Sequence, residues 1–446
     1  MEYPGAVFTR PWRLFVLGIF IFLFCVLVPA VLLYTAGFRY DIKNGLLKAT
    51  GSVNIDILPK NAVVYLNDLL IHKDIPIRLT NIKPQTYRLR ISAPNYYDWE
   101  KQIVVTNEQT TYINNIHLLK KASPEQIATG TIPKIALSTD GQYLAYTKAS
   151  SASSTELWLY NTQKKIFLHI RSIASLKPVR LIWAPRTNFL ALTDNSNSSP
   201  TLVVIDSENI EHQFDIQSTT SAPIISFEWR NTTEPELYYN TSTTLNVLFP
   251  RLQHQLPVAT HTFMDWHIDD GELWALENST TTGQLRIIKD VLGFMTPWTT
   301  ITLPTNATTS GWRIAAAHKA VVWLKQLHSN ELLLVTPNKY RQFSQGQFVR
   351  SLKSGEWIIW TPWELWDFPE EGEPYLINRF SDTLAQVLPL DEATLALLRG
   401  NKLAILFSSY NIEQELAPQS ISAFTVDTSR RILYFVDNQG LWKLPY

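Results

Sequence analysis

The hydrophobic positions of this chain follow three patterns, and the first is an unbroken apolar run. Residues 14–38 include no Asp, Glu, Lys, Arg or His, and a helix needs about 20 apolar residues to cross a hydrocarbon core of about 30 Å. Trp12, Tyr34 and Tyr40 lie where interfacial aromatic side chains are enriched. The run therefore predicts a transmembrane helix over residues 14–38, preceded by a tail at 1–13 and followed by a polar stalk at 39–49.

The apolar run fits a retained anchor better than a cleaved signal peptide, whose apolar region spans about 7–15 residues. A cut after Ala36 would place the bulky Tyr34 three residues before it, and Phe24 precedes Cys25 where a lipoprotein signal has a small residue. A cleaved signal peptide stays open as the alternative. Basic residues flank the run on both sides, and we expect the N-terminal tail in the cytoplasm and everything after the helix outside.

The second pattern is a series of short alternating stretches over residues 50–119. Apolar and polar positions alternate with a period of two, and Pro, Asn and Asp interrupt them, which is typical of half-buried strands. The apolar positions fall at residues 53–57, 63–66, 87–91, 103–105 and 112–118. This pattern predicts a small antiparallel β-sandwich.

The order of turn residues in this segment resembles the PEGA domain. The matching motifs are Pro59-Lys60-Asn61-Ala62, Val64-Tyr65-Leu66-Asn67, Ile75-Pro76-Ile77, Pro84-Gln85-Thr86-Tyr87 and Asn95-Tyr96. Gln85 and Asn95 replace two glycines of the family's pattern, and asparagine tolerates a positive φ more readily than glutamine does. The resemblance implies an envelope-side, non-catalytic module over residues 50–119.

The third pattern is a repeat that fills residues 131–446. Each unit contains a strand, a turn, a strongly apolar strand and further strands, and the units begin near residues 132, 179, 223, 261, 312, 347, 385 and 421. A period of about 40 residues with four short strands is typical of a β-propeller. We therefore predict an all-β fold apart from the helix, with a propeller of eight four-stranded blades and seven as the alternative. The last unit has three strands, so a strand near residues 126–129, inside the linker 120–130, is expected to complete it.

Two of these units resemble TolB-like propeller repeats. In the first unit Ser138-x-Asp140-Gly141 is followed by Leu144-Ala145-Tyr146 and Glu156-Leu157-Trp158, and the fourth unit has a similar turn at Asp269-Asp270-Gly271. The WD40 signature is missing, because Trp366-Asp367 is a lone dipeptide without a Gly-His in its unit. The resemblance implies a protein-binding disc, although a propeller fold by itself does not define a function.

Composition narrows the partners and the cellular compartment expected for the protein. Lys+Arg and Asp+Glu both number 39, so the formal net charge is zero, and no basic footprint for nucleic acid is present. The single cysteine, Cys25, lies inside the apolar run, which leaves the body without disulfides or thiolate metal sites. Because a secreted eukaryotic domain more often contains disulfides, we expect a bacterial cytoplasmic membrane, with the lipid bilayer as one partner.

Catalytic motifs are not found in the sequence. It contains no nucleophile elbow, no His-Glu-x-x-His pair and no phosphate loop. His261 and His267 are the closest pair of histidines, and Asp140-Gly141 and Asp269-Asp270-Gly271 are interpreted as turns. One acidic loop is a weak metal candidate, since carboxylate oxygens bind Ca²⁺, and its members are Asp367, Glu370, Glu371 and Glu373.

One stretch contains four tryptophans within ten residues. Trp357 and Trp360 fall in a strongly apolar strand and are expected to pack between blades, whereas Trp363 and Trp366 flank Pro362 near a loop. Exposed indoles serve as hot spots in protein interfaces or stack on sugar rings. Trp363 and Trp366 are therefore the candidate ligand-binding residues.

These patterns predict a non-catalytic, membrane-anchored extracytoplasmic scaffold whose propeller binds another cell-envelope protein. The alternative is a module that binds cell-wall or surface polysaccharide. A third hypothesis is a propeller hydrolase, which as a glycosidase would need two converging carboxylates. We expect no cofactor and no nucleic-acid partner.

Overall fold

The computed structural model describes residues 10–35, 38–41, 46–71, 74–151, 153–174, 179–194, 201–216, 224–259, 263–269, 271–279, 281, 283–291, 294–303, 309–337, 339–350, 356–369, 373–417 and 420–446. The chain divides into two compact units, Met1–Ala122 and Ser123–Tyr446, and each is described separately.

The apolar run forms one helix, α1 (Arg10–Thr35), which contains Pro29. Its segment Trp12–Thr35 has a mean hydropathy of 3.1, and none of this segment is buried inside the structure. At about 1.5 Å per residue, its 24 residues extend about 36 Å, against a hydrocarbon thickness of about 30 Å. The helix is therefore long and apolar enough to cross a membrane, and it begins and ends a few residues before the predicted range of 14–38.

Nine strands follow among the residues that the structure describes in the first unit. They are β1 (Phe38–Asp41), β2 (Leu46–Ala49), β3 (Gly51–Leu58), β4 (Val63–Leu66), β5 (Leu69–Ile71), β6 (Ile77–Ile82), β7 (Gln85–Ser92), β8 (Trp99–Val105) and β9 (Thr110–His117). β1 and β2 pair as an antiparallel hairpin, in the segment that the sequence predicts as a polar stalk.

The other seven strands form a β-sandwich of two sheets, ordered β6-β3-β9 and β5-β4-β7-β8. Every second residue of β3 is buried, including Val53, Ile55 and Ile57. On the facing sheet, β7 buries Leu89 and Ile91 in the same alternating way. The period of two thus predicts correctly which side chains enter the core of the sandwich.

One pairing in this sandwich is parallel, and the prediction of a wholly antiparallel sandwich is wrong there. β3 runs parallel to β9, with Val53 opposite Thr111, while its other neighbour, β6, is antiparallel. A parallel pair needs a long connection, and β4 to β8 all lie between these two strands. Apolar and polar residues alternate in both strand directions, so the pattern does not report the direction.

Polar residues make the tight turns of the sandwich. Asn67 and Asp68 have φ of 49° and 63° and join β4 to β5 as a two-residue hairpin, a conformation that Asn and Asp favour. Asn95, which replaces a glycine of the family's pattern, has φ of 64°. Gln85 instead begins β7 and is not among the residues with positive φ. Asparagine therefore keeps the left-handed turn, whereas glutamine continues as a strand.

The second unit contains 32 strands within the described residues, arranged as eight antiparallel sheets of four. Blades 1 to 4 consist of β11 (Lys134–Leu137), β12 (Tyr143–Ser151), β13 (Ser154–Asn161) and β14 (Ile166–Ile173); β15 (Leu181–Trp183), β16 (Phe189–Asp194), β17 (Thr201–Asp206) and β18 (Gln213–Asp215); β19 (Ser226–Trp229), β20 (Leu237–Asn240), β21 (Leu245–Phe249) and β22 (His254–Ala259); and β23 (Asp265–Asp269), β24 (Glu272–Asn278), β25 (Gln284–Val291) and β26 (Phe294–Thr302).

Blades 5 to 8 complete the set. They consist of β27 (Trp312–His318), β28 (Val321–Gln326), β29 (Leu332–Thr336) and β30 (Lys339–Phe343); β31 (Gln347–Arg350), β32 (Trp357–Trp360), β33 (Glu364–Phe368) and β34 (Tyr375–Arg379); β35 (Leu384–Pro389), β36 (Thr394–Arg399), β37 (Lys402–Phe407) and β38 (Ile412–Ala417); and β39 (Ala423–Asp427), β40 (Ile432–Val436), β41 (Gly440–Pro445) and β10 (Glu125–Thr129). The prediction of an eight-bladed propeller is confirmed.

The last blade takes one strand from the start of the unit. β10 pairs with β41, with Thr129 opposite Gly440 and Glu125 opposite Lys443. The chain therefore closes the ring by joining its first strand to its last three, and no blade has to hold together on three strands. A closed ring protects sheet edges that would otherwise pair with other chains.

Adjacent blades are joined by apolar clusters and by buried hydrogen bonds. Leu157 and Leu159 of blade 1 pack with residues of blade 2 such as Leu190. Two indoles repeat one contact, because Trp183 Nε1 donates to the Ala136 carbonyl at 2.9 Å and Trp229 Nε1 donates to the Ile182 carbonyl at 3.0 Å. In each case the first strand of one blade is tied to the first strand of the preceding blade.

We call one end of the propeller the connector face. It contains the turns between the second and third strands of each blade, together with the connections between blades. Backbone hydrogen bonds join these two kinds of segment, as from Phe380 N to the Trp363 carbonyl at 2.9 Å and from Ile421 N to the Asn401 carbonyl at 2.8 Å. The opposite face contains the turns that follow the first and third strands.

Candidate functional site

Trp363 lies on the connector face of blade 6. It occupies the turn between β32 and β33, which is closed by the hydrogen bond from Thr361 N to the Glu364 carbonyl at 2.9 Å. Thr361 Oγ1 also accepts a hydrogen bond from Trp363 N at 3.3 Å. The indole is 51% exposed, so a well-defined turn presents a large apolar side chain to solvent.

Two charged residues lie next to Trp363 along the backbone, namely Glu364, which follows it in the chain, and Arg379, which lies opposite Glu364 where β33 pairs with β34. The Glu364 carboxylate accepts a hydrogen bond from Arg379 Nε at 3.0 Å and another from Trp366 Nε1 at 3.1 Å. The Arg379 side chain is 71% exposed. Trp363, Glu364 and Arg379 thus form a surface patch with an apolar part and two charges of opposite sign, which we call the blade-6 patch.

Trp366 has a different environment from Trp363. It is only partly exposed and packs against the apolar cluster between blades 5 and 6. The guanidinium of Arg341, on the outer strand β30, lies 5.5 Å from the Trp366 ring centroid. Trp357 and Trp360 are 8% and 4% exposed and belong to apolar clusters between blades. Of these four tryptophans, Trp363 alone exposes half of its surface.

The acidic loop that the sequence singles out is described only in part. Glu370 and Glu371 lie outside the described residues, and Glu373 is exposed. Asp367 is buried and accepts a hydrogen bond from the Tyr375 hydroxyl at 2.7 Å, and burial raises the pKa of its carboxyl. In the part of the chain that the structure describes, no three His, Cys, Asp or Glu side chains come together as a metal site.

Two other candidates from the sequence are the Asp140-Gly141 segment and the histidine pair His261 and His267. Asp140 Oδ1 accepts hydrogen bonds from Ser138 Oγ at 2.6 Å and from Gln142 N at 2.9 Å, and Gly141 has φ of 70°, so this segment is a turn as predicted. His261 lies outside the described residues. Its partner in the sequence analysis, His267, is on β23 and contacts Glu228.

A set of polar side chains that sequence reasoning did not group together joins the first strands of blades 3 to 6. We call it the inner-strand cluster. Contacts of 2.6–3.9 Å between its carboxylates and its Arg and His side chains hold it together, and its members are Glu228, Asp265, His267, Asp269, Arg313, His318 and Arg350. The only signal in the sequence is the alternation of Asp265, His267 and Asp269 with buried Trp266 and Ile268.

Both ring nitrogens of His318 are engaged in this cluster. Nδ1 lies 2.6 Å from Asp269 Oδ2, and Nε2 lies 2.7 Å from Arg350 Nη2. A guanidinium only donates and a carboxylate only accepts, so Nδ1 holds the proton and Nε2 accepts. In this arrangement neither nitrogen is free to act as a general base toward a substrate, and the cluster joins blades 4, 5 and 6.

Burial and neighbouring charges shift two pKa values in the cluster. Burial raises the pKa of Asp265 to about 6, although Arg313 and the Ile314 N–H, 2.7 Å away, act in the opposite direction. Burial acts to lower the pKa of His267, but the Glu228 carboxylate at 2.9 Å more than offsets it, so this pKa is raised.

The substitution Asp265→Asn is expected to remove part of the pH dependence of stability. The Asp265 carboxyl binds its proton more tightly in the folded protein than in the unfolded chain. The free energy of unfolding therefore falls as the pH rises from about 4 to about 6. The interval between 3.8 and about 6, at about 1.36 kcal/mol per pH unit, corresponds to about 3 kcal/mol. Urea unfolding should therefore show that the free energy of unfolding at pH 4 minus that at pH 7 is lower in the variant by about 2 kcal/mol. An unchanged difference would contradict the assignment, and the exposed Glu373→Gln serves as the control.

Comparison with known proteins identifies the first module. Residues 50–120 match the PEGA domain family, so a PEGA domain is present. A comparison with curated protein sequences gives no match.

Solved structures similar to this chain include a β-propeller domain and a WD40 domain. The Myceliophteria thermophila Cps50 (Swd1) β-propeller domain is 10% identical, covers 73% of this chain and 100% of its own length, and has a TM-score of 0.40. The C-terminal WD40 domain of Sif2 is 10% identical, with coverage of 72% and 99% and a TM-score of 0.46. Kluyveromyces lactis Hsv2 is 10% identical, with coverage of 65% and 100% and a TM-score of 0.40.

Proposed function

We propose that this chain is a non-catalytic, membrane-anchored scaffold whose propeller binds another cell-envelope protein through its connector face. The observation that carries the proposal is the blade-6 patch, where Trp363 is 51% exposed beside the exposed Arg379. Tryptophan and arginine are enriched among the residues that dominate the energy of protein interfaces. Ile225 and Leu327, 55% and 56% exposed, add apolar surface to the same face.

The proposed location is a bacterial cytoplasmic membrane, with the N-terminus inside and the folded units outside. Support comes from α1, which is long and apolar enough to span, and from the PEGA domain, a module that typically lies outside the cytoplasm. The resemblance of the first blade to TolB-like repeats supports the same compartment. The single Cys25 lies within the helix and leaves the outer units free of disulfides.

Binding of cell-wall or surface polysaccharide is the second candidate. It would use Trp363 as a stacking surface, but Trp366 is partly buried under Arg341 and does not extend that surface. A protein partner therefore suits the patch better than a sugar chain that needs successive aromatic platforms. A hydrolase is the weakest candidate, because the carboxylates of the inner-strand cluster already pair with Arg and His side chains of the same cluster.

Photocrosslinking from position 363 tests the proposed function. The full-length chain, with p-benzoylphenylalanine in place of Trp363, is irradiated in its own membranes. We expect one discrete protein adduct, and none when the probe replaces the 74% exposed Leu252 on the opposite face. Once that partner is isolated, Trp363→Ala should weaken its binding by about 30-fold, or about 2 kcal/mol.

Two outcomes would contradict the proposal. The first is the absence of any protein adduct that depends on position 363. The second is retention of the full chain on protein-stripped wall or polysaccharide with loss of that retention in Trp363→Ala, which would establish the glycan candidate instead.

A further inference from the structure

A small cavity opens on the connector face between blades 2 and 3. It has a volume of about 80 Å³ and is lined by the ends of β16, β17 and β19 together with the residue before β15. Its apolar lining comes from Leu202, Ile224, Ile225 and Phe227, and its polar lining comes from Arg180, Thr193, Thr201 and Ser226. The cavity lies on the same face as Trp363 but in different blades.

The size of this cavity limits what can enter it. Sites for cofactors and drug-sized ligands measure about 300–1,000 Å³, several times larger. A single short aliphatic side chain fits this space, whereas a sugar ring or a nucleotide does not.

Arg180 stands at this cavity without an acidic partner. Its guanidinium carbon lies 5.0 Å from the centroid of the Phe227 ring, and its backbone N–H donates to Thr193 Oγ1 at 3.2 Å. The nearby Asp194 is paired with Arg171 at 2.9 Å. Among the described residues, no carboxylate lies at ion-pair distance from Arg180, and segments 175–178, 195–200 and 217–223 contain no Asp or Glu.

An arginine placed in this way favours a carboxylate from outside the chain. Its ring contact orients the planar guanidinium, and a guanidinium binds carboxylates through parallel N–H donors. The residue is exposed, so a partner can reach it without unfolding the blade. The apolar residues beside it can take up a neighbouring aliphatic side chain, which adds burial to the ionic contact.

We infer that the cavity between blades 2 and 3 binds a segment of a partner protein in which an acidic residue lies next to a short aliphatic residue. The carboxylate pairs with Arg180, and the aliphatic side chain enters the cavity beside Ile225 and Leu202. This inference rests on the proposed function and names the chemistry of the partner segment. It also gives the connector face a second contact point, separate from the blade-6 patch.

An array of immobilised hexapeptides tests this inference with the full chain in detergent micelles. The probes contain Asp-Val, Asp-Leu, Glu-Val or Glu-Leu at the centre, with matched peptides in which the acid is an amide or the aliphatic residue is glycine. We expect the acidic–aliphatic peptides to bind about 10-fold more tightly than their amide counterparts, as for one charge-assisted contact. Arg180→Gln should abolish that preference, and Arg180→Lys should retain part of it.

The control is Arg251→Gln, which removes one exposed positive charge from the opposite face of blade 3 and should leave the preference intact. Equal binding of acidic and amide peptides, or a preference that survives Arg180→Gln, overturns the inference. If that happens while position 363 still crosslinks to an envelope protein, the scaffold stands and only the cavity assignment falls. An acid preference that needs Arg180, found without any crosslink from position 363, supports the cavity and removes the blade-6 patch as the docking point.

Discussion

Replacing Trp323 by alanine is expected to lower the free energy of unfolding of the propeller by about 3–5 kcal/mol. Trp323 is fully buried on β28, and its ring lies 5.2 Å from Phe348 and 5.7 Å from Trp357. The ring centroids of Phe343 and Phe368 lie 6.3 and 6.2 Å from that of Trp323. The substitution would leave a large void between blades 5 and 6, because rings on several strands cannot all move inward to fill it.

Trp363→Ala is the matched control, since the same atoms are removed from an exposed turn of the neighbouring blade. Surface substitutions of this kind change stability by about 0.5 kcal/mol or less. Urea unfolding of the full chain in detergent, followed by far-ultraviolet circular dichroism, measures both variants. Equal losses in the two would contradict the assignment of Trp323 to the core and of Trp363 to the surface.

Gly440→Val is expected to open the ring and to cost about 3 kcal/mol or more. Gly440 begins β41 opposite Thr129 of β10 and has φ of 150°. A Cβ added there would lie 2.0 Å from the carbonyl oxygen of Ala128. That oxygen belongs to the backbone of the strand that closes the ring, so the clash is relieved only when β10 and β41 separate.

Limited proteolysis reports this opening directly. In Gly440→Val we expect early cleavage within residues 120–130, together with a lower melting temperature. Gly283→Ala is the control, because Gly283 also has a positive φ, 79°, but an added Cβ there has nothing within 4 Å. Its cost should be limited to backbone strain of about 1–2 kcal/mol. Protection of residues 120–130 in Gly440→Val would show that the ring is closed by other contacts.

The outer strands of the blades leave a weaker signal in the sequence than the interior strands do. The interior strands of the blades are strongly apolar, as in β36 and β37, and their pattern is visible in the sequence. The outer strands β18, β22 and β30 are mostly exposed and mix polar with apolar residues. An edge strand is defined by its backbone pairing with the neighbouring strand rather than by burial, so hydrophobic periodicity predicts it poorly.

The tryptophans illustrate the same limit within one blade. Their spacing and the surrounding apolar residues correctly predict that Trp357 and Trp360 pack between blades. The same local sequence groups Trp363 with Trp366 near a loop, but in the structure Trp363 is exposed whereas Trp366 packs against the cluster between blades 5 and 6. Arg341, which lies over Trp366, belongs to blade 5, and no pattern within blade 6 predicts that neighbour.

By itself the sequence determined the elements that depend on residues close together in the chain. The apolar run predicts α1, the period of two predicts the β-sandwich, and the repeat of about 40 residues predicts the propeller blades. Only the tertiary structure decided the parallel pairing of β3 with β9, the inner-strand cluster and the cavity at Arg180. Their members come from positions tens of residues apart, and strand pairing in the sandwich and packing between neighbouring blades in the propeller bring them together. Contacts over such separations leave no periodic trace in the sequence.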